Sequence, residues 1–97
     1  MPVFYEVSLE IQEEIYTDFY SWLVVHIQEM LELPGFVSHK IMKVLDVDTK
    51  KLVVTYELKS YEDMQNYFNV HAKKMRGDGV NKFAGKFSAT RRVLEKI

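Results

Sequence analysis

The most restrictive feature of this chain is a hydrophobic period that shifts from two to about 3.6 and back, twice over. Val3, Tyr5, Val7, Leu9 and Ile11 alternate with Phe4, Glu6, Ser8 and Glu10, and period-two alternation in β-branched and aromatic residues predicts a strand. From Glu13 the spacing lengthens. Ile15, Phe19, Trp22, Leu23, His26, Met30 and Leu33 share one arc, with Glu14, Asp18, Ser21, Gln28 and Glu32 opposite, which predicts an amphipathic helix of about twenty residues. Pro34-Gly35 stops it.

Phe36 to Val47 reads as a second strand, Asp48-Thr49-Lys50 as a turn, and Lys51 to Lys59 as the antiparallel partner. In the second strand Val37, Ile41 and Leu45 share a face with His39 and Lys43, while Phe36, Met42 and Val44 share the other with Lys40. A strand apolar on both faces is expected to be covered on both. Ser60 is the N-cap of a second helix, with Asp63 at the capping-box position. Met64, Phe68, His71 and Met75 then follow along one helical face. Gly77 and Gly79 read as breaks, so that Arg76-Gly77-Asp78-Gly79 forms a C-cap and turn. Val80 to Ala84 reads as a further short turn ended at Gly85, and Phe87 to Leu94 as the last strand.

Right-handed crossovers fold a β-α-β-β-α-β order into a four-stranded antiparallel sheet with both helices on one face, the ferredoxin-like α+β arrangement. Residues 1–97 are expected to form a single domain, since a typical domain is about 100–150 residues. The uncovered sheet face is expected to pack on a second copy, giving a homodimer closed as an α+β barrel. A chain this short buries only about 60–65% of its unfolded surface, so self-association would add stability.

Composition narrows the chemistry. There is no cysteine, which excludes a disulfide framework, a thiolate metal site and a cysteine nucleophile. No apolar run approaches the roughly 20 residues of a membrane span, and the N-terminus reads straight into structure, so a cytoplasmic protein without membrane partners is expected. Charge is uneven. Residues 1–48 carry nine acids against two lysines, net −7, and residues 49–97 eleven basic groups against five acids, net +6. The basic residues are scattered rather than clustered, which argues against a nucleic-acid interface.

The candidate chemistry lies in the helical stripes. His26 stands between Trp22 and Met30, and His71 between Phe68 and Met75. An imidazole turned into an apolar layer needs a hydrogen-bond partner and tends to be held neutral. It is then either a general acid–base group facing a pocket or a satisfied core residue bonded to Glu6, Glu57 or a backbone carbonyl. Alternation puts Glu6 and Glu57 on the sheet face the helices leave open, where they are candidate catalytic groups that orient such a base or hold a proton, or plain surface charges. Phe19, Trp22, Met30 and Phe68 are the candidate pocket walls. Arg91 and Arg92 alternate faces on the last strand, so one of them points inward or toward a partner chain, where a carboxylate or a substrate anion would satisfy it. His26, His39 and His71 have no metal-ligand spacing, and no metal site is expected. A ligand chamber would show as a cavity on the order of several hundred Å³ touching an imidazole nitrogen; a filled space would favour a non-enzymatic structural or regulatory homodimer.

Val3-Phe4-Tyr5-Glu6-Val7, Trp22-Leu23-Val24-Val25-His26-Ile27, His71-Ala72 and Phe83-Ala84-Gly85-Lys86-Phe87 resemble a bacterial domain-of-unknown-function family of about 100 residues in the dimeric α+β-barrel superfamily. That superfamily is similar to antibiotic-biosynthesis-type monooxygenases, haem-degrading monooxygenases and muconolactone-isomerase-like enzymes. The resemblance implies a homodimer with a cavity between helices and sheet, and a small, largely apolar ligand. It leaves open a cofactor-independent monooxygenase or isomerase. The haem-degrading branch uses an asparagine where this first strand carries Glu6 and Ser8, so haem stands only as an alternative and no cofactor is expected.

Overall fold

The alternation of the first strand sets the centre of the sheet. In the computed structural model, which describes residues 1–97, β1 (Val3–Ile11) is flanked by β3 (Lys50–Leu58) and β4 (Phe87–Glu95). The remaining strand, β2 (Phe36–Lys43), lies outside β3, giving the antiparallel order β2-β3-β1-β4. This is the ferredoxin-like α+β fold expected from the order of elements. Register places Tyr5 opposite Tyr56 and Val93, and Glu6 opposite Thr55 and Arg92. Val3, Tyr5, Leu9 and Ile11 therefore share the covered face with Leu52, Val54, Tyr56 and Leu58, all buried. Each fully buried side chain of this kind is worth roughly 1.5–3 kcal/mol.

After one 3₁₀ turn (Glu13–Ile15), α1 runs from Tyr16 to Leu31. Its buried line is Phe19, Leu23, Ile27 and Met30. The stripe thus centres on Ile27, and Trp22 and His26 stand half-buried on its flank. Gly35 ends the connection at a φ of +85°, a conformation that favours glycine, and a side chain there would collide with Asp63.

The second helical layer departs from the expected reading. Ser60 does cap α2 (Tyr61–Asn66), its Oγ accepting the Asp63 N–H at 3.1 Å. One π turn, Tyr67–His71, then inserts before α3 (Ala72–Phe83). The extra residue rotates everything after Met64, so the buried line becomes Met64, Tyr67, Ala72, Met75, Gly79 and Phe83. Arg76-Gly77-Asp78-Gly79 is not a cap and turn: the helix passes through it and ends before Gly85, whose φ is +75°. Gly79 is there for space. A methyl group on it would stand 2.8 Å from Trp22 Cη2.

β2 ends at Lys43 instead of continuing to Val47. A bulge between Phe36 and Ser38 turns both Phe36 and Ile41 inward, facing Leu58 and Val54. Val37 and Met42 are each 50% exposed, so the expected cover on both faces is not present within the chain. On the uncovered sheet face Phe4, Glu6, Ser8, Val53, Thr55 and Glu57 are half-buried. No helix is long and apolar enough to cross a membrane.

Candidate functional site

Between the covered sheet face and the helices lies a cavity of about 50 Å³, lined by sixteen residues of which twelve are hydrophobic. That is room for a few water molecules, well below the several hundred Å³ expected of a ready-made ligand chamber. α1 contributes Phe19, Trp22, His26 and Met30; α3 contributes Met75, Arg76 and Gly79; β4 contributes Phe87 and Arg91. Tyr5, Tyr56 and Tyr67 also line the space.

Five of the residues expected at a site therefore converge: Phe19, Trp22, His26, Met30 and Arg91. Four do not. His71 and Phe68 lie outside the lining because the π turn gives the inward position to Tyr67. Phe68 packs edge-on against Tyr5 at 5.6 Å instead. Glu6 and Glu57 belong to the opposite sheet face, where Glu6 accepts from Arg92 Nε at 2.7 Å and Glu57 from Ser38 Oγ at 3.4 Å. Neither carboxylate can serve His26 through the sheet.

The His26 ring stacks on Trp22, centroids 4.6 Å apart and planes 20° from parallel. The indole in turn meets Phe19 at 5.5 Å and Phe83 at 5.9 Å and rests on Gly79. His26 has no hydrogen-bond partner from the chain, so the alternative of a core histidine satisfied by Glu6, Glu57 or a carbonyl is not what the structure holds. Burial pushes its pKa below the ordinary 6.5, opposed in part by Glu29 and Asp78 and assisted by Lys74 and Arg91. The imidazole is accordingly neutral at pH 7, with a lone pair available to take a proton.

Sequence reasoning missed Tyr5, Tyr56, Tyr67, Arg76 and Gly79. The strand alternation already turned Tyr5 and Tyr56 inward and could have found them; nothing in the helical spacing announces the π turn that delivers Tyr67. Burial, with the neighbouring Tyr5, raises the Tyr67 phenol well above its ordinary value, and the Tyr56 phenol rises for the same reasons. These hydroxyls stay protonated and act as hydrogen-bonding groups. No trio of His, Asp or Glu side chains converges as a metal site.

The chain belongs to DUF4286, a domain of unknown function, whose family pattern matches residues 2–97. No curated protein matches it. Among solved structures it is similar to a conserved protein from Methanosarcina mazei Go1, with 13% identity, a TM-score of 0.76, and 100% of this chain and 94% of that one covered. An ethyl tert-butyl ether d (ethd) family protein from Bacillus halodurans shows 22% identity and a TM-score of 0.72 over the whole of both chains. A variant of SnoaB, a cofactor-independent oxygenase from Streptomyces nogalater, shows 12% identity and a TM-score of 0.73, covering 97% of this chain and 92% of that one. At these identities the likeness establishes the shared fold and not an activity.

Proposed function

We propose that this protein binds a small, largely apolar ligand between its helices and sheet, with His26 as the general base. The observation that carries this reading is the His26 ring, stacked on Trp22 at 4.6 Å and free of any partner from the chain, at an apolar cavity. A base so placed suits proton abstraction from a carbon acidified by an adjacent carbonyl, a step that an isomerase or a cofactor-independent monooxygenase can use. The homodimer belongs to the same proposal. Half-buried Phe4 and Val53 and exposed Met42 and Leu94 share the uncovered sheet face, and a second copy would remove them from water. Sedimentation at micromolar concentration then gives twice the 11.5 kDa chain mass, and Val53→Lys returns it to monomer. A wild-type protein that sediments as a monomer overturns the dimer.

One observation favours a second reading. A cavity of about 50 Å³ suits a filled core and a protein without a substrate. Xenon separates the two, because it enters dry apolar cavities. Under xenon pressure the ligand-binding reading predicts shifts of the Leu23, Met30 and Val54 methyl resonances, which line the cavity, and none at Leu58 and Met64, which are buried elsewhere. Unmoved resonances throughout select the filled core.

A further inference from the structure

Resting on that reading, we infer that the ligand is an anion: a short apolar body carrying one carboxylate or enolate head, received by Arg91 and Arg76 at the mouth of the cavity. The lining holds these two guanidinium groups and no carboxylate. The remaining lining residues are apolar side chains, Gly79, three tyrosines and the His26 imidazole, so the only fixed charges on the wall are positive and the site is electrostatically one-sided.

The two arginines are differently prepared. Arg76 Nη2 donates to Tyr5 Oη at 3.2 Å, and its guanidinium lies 5.8 Å from the centre of the Phe68 ring. These contacts hold it in place and leave its other N–H groups free. Arg91 lies on the covered sheet face opposite Val7, with no ion pair and no hydrogen bond within the chain. Its neighbour Arg92, on the uncovered face, is already paired with Glu6 at 2.7 Å. The acids around His26 do not neutralise the mouth: Asp78 is tied to Lys74 at 3.3 Å, and Glu29 lies outside the lining. A planar donor fork with no acceptor matches a carboxylate or enolate oxygen pair, and such charge-assisted bonds are about twice as strong as neutral ones. Both arginines are exposed, so the head remains at the rim while the apolar body displaces water within.

The test uses three probes on one branched frame: isovalerate, isovaleramide and isobutylammonium. The readout is the fluorescence of Trp22, the only tryptophan in the chain and part of the cavity wall. At low salt isovalerate binds about tenfold more tightly than the amide, a factor in keeping with one charge-assisted bond replacing a neutral one, and the ammonium binds weakest. Arg91→Gln reduces the preference for the carboxylate to within about twofold, whereas Arg92→Gln leaves it unchanged. Equal binding of carboxylate and amide, or equal effects of the two substitutions, overturns the anion assignment and leaves the apolar chamber standing. If none of the three probes alters Trp22, the chamber reading and the anion assignment fall together.

Discussion

The two helical layers on the covered sheet face solve one packing problem in different ways. α1 keeps a regular 3.6 period and buries Phe19, Leu23, Ile27 and Met30, leaving Trp22 and His26 on its flank. The second layer breaks step at Tyr67–His71, turning Tyr67 inward and His71 away. Two histidines in similar apolar stripes thus reach different places. Stripe membership shows that a side chain lies near the core; the local winding decides whether it meets the cavity.

Substitutions that treat the two layers differently test this contrast. The largest effect is expected at Phe19, which is fully buried and contacts both Phe83 and Phe87. Phe19→Ala should lower the unfolding free energy in urea by about 3–5 kcal/mol; a loss under 1 kcal/mol would show that the layers are not packed through this ring. Next come the two glycines of α3, which should answer with opposite signs. Gly79→Ala drives a methyl group against the Trp22 indole. Overpacking of about 1–3 kcal/mol outweighs a helix-propensity gain of about 1 kcal/mol, so it destabilises and shifts the tryptophan emission. Gly77 has open space around its Cβ position, and Gly77→Ala should stabilise by about 0.4–1 kcal/mol. Matching signs at the two positions would break the proposed wedge of Trp22 against α3.

The smallest effect is a pH slope. Burial holds the folded-state His26 pKa below its ordinary 6.5, so as the pH falls the unfolded chain takes up this proton first. The contribution is fully present above pH 6.5 and declines through the window beneath it. Denaturation midpoints measured across that window should fall with pH in the wild type. The slope should flatten in His26→Gln and persist in His71→Gln.

Legibility followed regularity. β1, β3 and β4, the order of elements, the Ser60 cap and most of the α1 stripe could be read because each rests on an unbroken local period or a single capping contact. Five of the sixteen lining residues followed from them, namely Phe19, Trp22, His26, Met30 and Arg91. The rest depended on one-residue irregularities. The bulge after Phe36 rearranged the faces of β2, and the π turn replaced His71 with Tyr67. Gly79 reads as a breaker when viewed alone; its purpose is apparent only once Trp22 is laid across it. Glu6 and Glu57 were already on the uncovered face by alternation, and that alone separates them from His26.

The most direct measurement is the pH titration of Trp22 emission, since a protonated imidazole stacked on indole quenches it. The stacked, partly desolvated ring predicts a single quenching step with its midpoint below 6.5, absent in His26→Gln and retained in His71→Gln. A midpoint at 6.5 or above, or a step that survives His26→Gln, would contradict the placement of His26 at the cavity.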